Sequence, residues 1–225
     1  MQSLLQYALR VFMWTIVLAS QKGGVGKTTL CGHLAIEIAR QRAGRTALLD
    51  TDPQGGLAAW WNERQSDTPP FFKIAGSLRG TLDALAESGV DFVLIDTPPA
   101  ITGSIDATIR EADLVIVPAK PSPHDLRAVA ATVALVRAAG KPLTFVVNQA
   151  VQRANLTQDA MAALSHHGPI AGVLHHRLDF VSSMIDGRVA QEVKPSSDAS
   201  REIAKLWMNI ANNWIDRGTS DDATA

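Results

Sequence analysis

The sequence contains very little cysteine, which excludes two classes of protein. Cys31 is the only cysteine among the 225 residues. A single cysteine cannot form an internal disulfide, and an iron–sulfur cluster needs several thiolate ligands. We therefore expect Cys31 to be a small apolar core residue in a protein of the reducing cytoplasm.

An excess of charge is also absent. The formal net charge is -1, with 19% charged and 46% hydrophobic residues. This balance is typical of an ordinary globular protein, so any nucleic-acid binding must come from a local patch. No uninterrupted apolar stretch approaches the ~20 residues that cross a bilayer.

The length suits one α/β domain with a substantial core. Arg10 interrupts the apolar N-terminal run, which then continues into a predicted strand, so the run does not have the form of an export signal. We expect residues 1–12 to be an extension that the fold does not need. Residues 13–216 then form a single domain, and residues 217–225 form a polar C-terminal tail.

A glycine-rich stretch with two lysines follows the first predicted strand, Trp14 to Ala19. It reads Lys22-Gly23-Gly24-Val25-Gly26-Lys27-Thr28-Thr29. The glycines allow loop conformations in which successive N–H groups face one anion, and the next helix presents the positive end of its dipole. Lys27 suits the outer phosphates of a nucleotide, and the Thr28 hydroxyl suits Mg²⁺. The strict phosphate-binding pattern has glycine at the position of Gln21. This chain departs from it there and has a second lysine in the loop, Lys22.

Apolar strands alternate with helical patterns along the rest of the chain. Continuous Val, Ile and Leu runs predict a parallel sheet that is covered on both faces. The predicted fold is doubly wound α/β, with a mostly parallel sheet and helices on both faces. Ligands then collect at the carboxyl ends of the strands. We predict strands at 14–19, 46–50, 71–74, 91–96, 113–118, 142–148 and 170–174, and a C-terminal helix at 197–216.

Four polar residues come at or just after the ends of predicted strands. Asp96 ends an apolar strand and is positioned to hold Mg²⁺ with Thr28. Asp50 and Asp52 form a good turn by themselves, yet paired carboxylates repel unless a cation or polarised water lies between them. One of this pair, preferably Asp52, is a candidate for orienting an attacking water. Asn148 follows a later strand and is expected at the same rim.

Five segments together resemble the ParA-type partition ATPases, which belong to the ParA/MinD group with a deviant Walker A loop. The segments read KGGVGKTT, LLDTDPQGG, VLIDTPP, VIVPAKPSPHDL and VVNQ. They occur in the family's order and at about its spacing, and the resemblance covers residues 13–207. It is closest to short members that lack an N-terminal DNA-binding extension.

The resemblance implies ATP and Mg²⁺ as cofactors and roles for the matching residues. The loop from Lys22 to Thr29 binds the nucleotide, with Lys27 on phosphate. Thr28 and Asp96 serve Mg²⁺, and Asp52 acts on the attacking water.

Two further roles also follow from the resemblance. Asn148 lies by the adenine. Lys22 reaches the nucleotide of a partner chain, so that two chains enclose two ATP molecules. Pairing then depends on the γ-phosphate, since a buried charge is favourable only when it is paired.

The family also implies a biological role. Its ATP-bound homodimer binds DNA without sequence preference, and a ParB-like or cargo-adaptor partner stimulates a weak ATPase. A cytoplasmic, nucleoid-associated protein would position a plasmid, a chromosome or a protein cargo. Acidic and basic residues are balanced between positions 175 and 217, so DNA contacts would need Arg177, Arg188 and Lys194 of two copies to share one face.

Two alternatives stay open from the sequence. A MinD-like, membrane-associated regulator of the division site would need a C-terminal amphipathic helix on lipid. Apolar residues at 203, 206, 207, 210 and 214 form such a stripe. A stripe of this kind more often packs on the domain, and the tail is acidic, so we expect no stable membrane association. A metabolic P-loop enzyme would instead have a dedicated substrate pocket.

Two pairs of neighbouring histidines, His166/His167 and His175/His176, could suggest a metal site. They are expected on the surface, because neighbours on a strand point to opposite faces.

Overall fold

Seven parallel strands form one sheet through the centre of the molecule. The computed structural model describes residues 13–42, 45–99, 103–151 and 155–216, so the predicted extension and tail lie outside the described residues. The strand order is β3-β2-β4-β1-β5-β6-β7, and every pairing is parallel. The strands are β1 Trp14–Leu18, β2 Thr46–Asp50, β3 Phe71–Phe72, β4 Phe92–Asp96, β5 Leu114–Ala119, β6 Leu143–Ala150 and β7 Ile170–His175.

Helices lie on both faces of this sheet. They are α1 Lys27–Arg42, α2 Gly56–Asn62, α3 Leu78–Glu87, α4 Gly103–Arg110, α5 Pro123–Ala138, α6 Asn155–Ser165, α7 Leu178–Ser182, α8 Ala190–Val193 and α9 Asp198–Ile210. A 3-10 turn, Ser183–Asp186, follows α7, and a π turn, Ala211–Ile215, extends α9. The doubly wound parallel fold is thereby confirmed.

The inner strands are buried on both sides because their alternating side chains enter two separate apolar cores. Ile16 and Leu18 of β1 face the layer of α1, α2, α7, α8 and α9. Val17, and Ala19 just beyond β1, face the layer of α3, α4, α5 and α6. A continuous apolar run therefore fits a parallel strand here, as its period of two fills both layers.

Serine side chains define the starts of three helices, and ahead of α3 the Ser77 hydroxyl accepts the Gly80 N–H at 3.1 Å. The Ser122 hydroxyl accepts the Asp125 N–H at 3.2 Å ahead of α5, where Pro123 takes the first helical position. The Ser197 hydroxyl accepts the Ser200 N–H at 3.2 Å ahead of α9. Each cap satisfies a backbone donor that the helix itself leaves without a partner.

The outer edge strands of the sheet are protected in different ways. At one edge, β3 is only two residues long, shorter than the predicted 71–74. At the other, α9 supplies side-chain partners to the backbone of β7. Glu202 accepts the His175 N–H at 2.9 Å, and Asn209 donates to the Ala171 carbonyl at 3.0 Å.

The segment between β7 and α9 contains structure that the sequence patterns did not predict. Here α7, the 3-10 turn and α8 pack on α1 and α2. The predicted C-terminal helix is also divided, because its last turn is a π turn. Its apolar stripe faces the core, where Ile203, Leu206, Trp207 and Ile210 are buried and Trp214 is partly buried.

Candidate functional site

The glycine-rich loop connects the end of β1 to the start of α1 at the carboxyl edge of the sheet. Lys27 is the first residue of α1, and its ammonium donates to the Ser20 carbonyl at 3.2 Å. Burial lowers the pKa of Lys27, while Asp96 and Asp52 act in the opposite direction. Lys27 is therefore held at the loop near Asp96 and Asp52.

Thr28 of α1 and Asp96 at the end of β4 are in direct contact. The Thr28 hydroxyl donates to Asp96 Oδ2 at 2.5 Å, and the Thr97 N–H donates to Asp96 Oδ1 at 3.0 Å. The pKa of the Asp96 carboxyl is raised to about 7, mainly by burial and also by nearby Asp50, although Thr28, Lys27 and the Thr97 N–H act in the opposite direction. A hydroxyl and a buried carboxylate are hard oxygen donors, so this pair fits Mg²⁺.

Asp50 and Asp52 lie in the same loop but have different partners. Asp50 accepts the N–H groups of Asp52, Leu57 and Ala58 at 2.9, 3.0 and 3.2 Å. It thus caps the start of α2, so the pair needs no cation between its members. Burial raises the pKa of Asp50. Among the described hydrogen bonds, the Asp52 carboxylate accepts only one, from the nearby Gln54 N–H at 3.0 Å. Its negative charge also acts to raise the pKa of Lys27.

Lys22 lies at the open side of the loop with an exposed side chain. Gly23 and Gly24 beside it are exposed as well, whereas Val25 is buried. The preceding residue, Gln21, anchors the loop to α5 by donating its N–H to the Thr132 hydroxyl at 3.2 Å. The loop is therefore fixed at its base, and its second lysine points outward.

Asn148 and Gln149 of β6 both contact the loop. Asn148 Nδ2 donates to the Val25 carbonyl at 2.7 Å, and Gln149 Nε2 approaches the Gly24 carbonyl at 3.4 Å. Gly26 leaves no room for a side chain, because an added Cβ would lie 2.5 Å from Asn148 Nδ2. The sequence placed Asn148 at this rim but did not single out Gln149, although it stands in the VVNQ segment.

A cavity of about 260 Å³ opens beside the loop. Gly26, Asn148 and Gln149 line it from the loop side, and His176 and Phe180 line it from the segment after β7. Cavities that bind small molecules are concave and mostly apolar with a few polar groups, and this one has that character. Its position next to the loop suits the base of a nucleotide whose phosphates lie in the loop.

His175, the last residue of β7, and His176 both line this cavity. His176 is exposed, and His175 is partly buried. His175 Nδ1 bonds Glu202 Oε1 at 2.8 Å. His166 and His167 are exposed, as expected.

The three cations predicted to contact DNA are each paired with a carboxylate of the same chain. Arg177 contacts Glu202 at 2.8 Å and Asp198 at 3.1 Å and also lines the cavity. Arg188 pairs with Asp186 at 2.6 Å, and Lys194 pairs with Asp179 at 2.8 Å. Local neutralisation weakens the case for a basic face, and their contact with DNA stays a prediction.

His33 is a buried residue of α1 that sequence reasoning missed. Its Nδ1 bonds the Thr29 carbonyl at 2.8 Å, and its Nε2 accepts the Ala190 N–H at 3.2 Å. Burial lowers the pKa of His33 to about 4, so the ring is neutral at neutral pH. His33 follows Thr29 by four residues in α1, so a helical pattern could have placed it one turn after the loop. Its contact with α8 had no signal in the sequence.

Two features are absent from the ranges that the structure describes. No group of three or more His, Cys, Asp or Glu side chains is arranged to hold a metal ion there. Within the same ranges, every helix is too short or too polar to span a bilayer.

Comparison with known proteins gives a family match over most of the chain. Residues 16–189 match the CobQ/CobB/MinD/ParA nucleotide binding domain. Maintenance of carboxysome distribution protein A of Halothiobacillus neapolitanus is 30% identical over 165 residues, which are 69% of this chain and 75% of the relative. The chromosome-partitioning ATPase Soj of Thermus thermophilus is 31% identical over 196 residues, with 71% and 78% of the two chains covered.

The fold also matches solved structures. MinD in the MinC:MinD cell division complex of Aquifex aeolicus superposes with a TM-score of 0.75 at 18% identity. The match covers 89% of this chain and 96% of that one. At this level of sequence identity, the match shows a shared fold and not a shared function.

Proposed function

The chain belongs to the CobQ/CobB/MinD/ParA nucleotide-binding family, and on that premise we propose that it is a ParA-type ATPase that converts ATP and water to ADP and phosphate. It pairs with a second copy when ATP is bound and thereby positions a cargo. The observation that carries this proposal is the contact of Thr28 with buried Asp96 close to Lys27, with Lys22 exposed in the same loop.

Each residue has a defined part in the proposed reaction. The N–H groups of residues 22–29 and the Lys27 ammonium bind the phosphates, since they converge at the start of α1. Thr28 and Asp96 would hold Mg²⁺, which supplies charge neutralisation on the phosphate oxygens. Asp52 orients the attacking water, because Asp50 is already occupied by three N–H groups.

Lys22 makes the reaction depend on a second copy. Its exposed ammonium lies outside the pocket of its own chain. In a face-to-face pair it would reach the triphosphate of the partner, and the added phosphate charge of ATP over ADP strengthens that contact. Hydrolysis then weakens the pair and releases it.

The cargo and the surface that carries the dimer are parts of the same proposal. Relatives are named for carboxysome distribution and for chromosome partitioning. By analogy, this protein would bind DNA non-specifically, associate with the nucleoid and respond to an adaptor that stimulates hydrolysis. The burial of the α9 stripe removes the apolar face that a MinD-like membrane association would use.

The Lys22→Ala variant tests the proposal. We expect it to bind ATP but to remain monomeric in light scattering, to lose stimulated hydrolysis and to lose ATP-dependent pelleting with DNA. Lys141→Ala is the matched control, because Lys141 precedes β6 at the opposite end of the sheet. It should behave like the unmodified protein.

Three outcomes would contradict parts of this proposal. ATP-dependent dimers of Lys22→Ala would refute the role of Lys22. Pelleting with anionic liposomes instead of DNA would favour the membrane-associated alternative. An unmodified protein that hydrolyses ATP as a lone monomer with a small-molecule acceptor would favour a metabolic enzyme.

A further inference from the structure

We propose that Asn148 and Gln149 form a clamp that sets the direction of the phosphate-facing amides in the loop. This inference rests on the proposed nucleotide binding and goes further, because it assigns the pair to the phosphates. The two residues are positioning residues, as they act on the loop and not on the reacting atoms.

The geometry of the peptide bond gives the first step. In a trans peptide unit, the carbonyl of one residue and the N–H of the next point in opposite directions. The Gly24 and Val25 carbonyls face Gln149 and Asn148. The N–H groups of Val25 and Gly26 therefore point away from β6. These are amides of the loop that cradle a phosphate in this motif.

The closeness of Asn148 to Gly26 gives the second step. Asn148 is buried, and both ends of its amide are used, since Nδ2 donates to Val25 and Oδ1 accepts the Gln149 N–H at 2.9 Å. Gly26 has a φ of 91° and no space for a Cβ against Asn148. The side chain thus fixes the loop at the residue just before Lys27.

The backbone of Gln149 gives the third step. Successive residues of a strand normally point to opposite faces. Gln149 has a φ of 55°, and the pairing of β6 with β7 is irregular between Val147 and Ala150. This distortion lets two consecutive side chains reach the same loop. A left-handed conformation at a residue other than glycine is strained, and such strain is concentrated at functional positions.

A ligand with a base and a ligand without one distinguish two roles for these residues. A clamp on the phosphate-binding loop affects the binding of both ligands, whereas a residue that recognises the adenine base affects only ATP. We would measure the affinity of the protein with Mg²⁺ for ATP and for inorganic tripolyphosphate by calorimetry. For Asn148→Ala we expect both affinities to fall by about ten-fold, which corresponds to the loss of one buried hydrogen bond. The longer contact of Gln149 predicts a smaller loss of about three-fold.

Gln149→Gly and Asn212→Ala control for damage to the fold. Glycine accepts the left-handed backbone, so Gln149→Gly should keep the melting temperature while it lowers both affinities. Asn212 is an exposed asparagine after α9, and its replacement should change neither affinity. A loss confined to ATP in Asn148→Ala would overturn the clamp and leave the proposed function intact.

Hydrogen exchange of the free protein gives a readout that needs no nucleotide. We expect the amides of Val25 and Gly26 to exchange faster in Asn148→Ala than in the unmodified protein, since their peptide units lose a fixed direction. Unchanged exchange would overturn the clamp. An unmodified protein that binds neither ATP nor tripolyphosphate would instead overturn the proposed function.

Discussion

At the scale of single residues, Asp50 and Asp52 show how two carboxylates in one turn acquire different roles. Their spacing in the sequence was compatible with either one acting on water. The structure gives Asp50 three N–H donors, whereas the Asp52 carboxylate accepts one local N–H and acts electrostatically to raise the pKa of Lys27. The difference arises because α2 begins directly after the turn and presents its N–H groups to Asp50.

The two aspartates should therefore respond differently to substitution. Asp50→Ala removes a helix cap and should lower the free energy of unfolding by about 1–2 kcal/mol. Asp52→Ala should leave that free energy unchanged, abolish hydrolysis and accumulate the ATP-bound dimer. Urea unfolding and light scattering with ATP measure both effects.

Asp50→Asn serves as the control, because it keeps acceptor oxygen and should lose less stability than Asp50→Ala. If Asp52→Ala stays monomeric with ATP, the assignment of Asp52 to the attacking water is wrong.

At the scale of helices and strands, His33 joins two elements that are far apart in the sequence. The ring connects α1 to the first residue of α8, and the Gln191 side chain donates to the His33 carbonyl at 2.9 Å. Phe180 of α7 packs edge-on against the ring at 5.2 Å between centroids. The segment after β7 therefore depends on a neutral histidine.

This arrangement predicts a pH dependence of stability. His33 takes up a proton near pH 6.5 when unfolded but only near about pH 4 when folded, with Thr29 and Glu192 opposing the effect of burial. Between these values His33 binds more protons in the unfolded chain, so the contribution of this residue to stability should fall as pH drops from about 6.5 to 4. The loss reaches about 3 kcal/mol at most.

The prediction is tested by comparing the unmodified protein with His33→Gln. This comparison is needed because buried Asp96 changes the free energy of unfolding in the opposite direction over the same pH range. Its raised pKa means that the folded state takes up the proton first, which favours folding as pH falls. We expect the free energy of unfolding in urea to rise for His33→Gln, relative to the unmodified protein, as the pH falls from about 6.5 to 4, because the variant keeps the Asp96 contribution and loses the one from His33. The exposed His166→Gln is the control, and an equal relative change there would contradict the assignment.

The same elements show how far the sequence could be interpreted. Strands such as Thr46–Asp50 were predicted to the residue because apolar runs between turn signals have one solution in a parallel sheet. The short α7 and α8 were missed because they have too few residues to show a helical period. Gln149 was missed because its direction depends on an irregular pairing that only the assembled sheet creates.

At the scale of the whole molecule, the described part of the sheet begins at Trp14, the first residue of β1. β1 pairs with β4 from Trp14 and with β5 from Ile16 onward. The parallel topology could be predicted from the sequence. It implies that one edge of the sheet, at the carboxyl ends of the strands, carries the glycine-rich loop, Asp50, Asp96 and Asn148. The cavity beside the loop could not be predicted, since residues from distant elements line it.

A shortened chain that begins at Met13 should therefore fold and bind ATP as the full chain does. We expect the melting temperature to stay within a few degrees and the ATP affinity to be unchanged, as measured by calorimetry. Loss of expression or of ATP binding would show that residues 1–12 contribute to the fold.

The protected borders of the sheet limit how copies of this protein can associate. One border strand offers only two residues to an incoming strand, and side chains of α9 already occupy backbone groups at the other. Growth of a continuous intermolecular sheet is thereby disfavoured at both borders. Self-association is left to side-chain surfaces, where contacts can form and dissolve with each round of nucleotide turnover without the risk of fibrous aggregates.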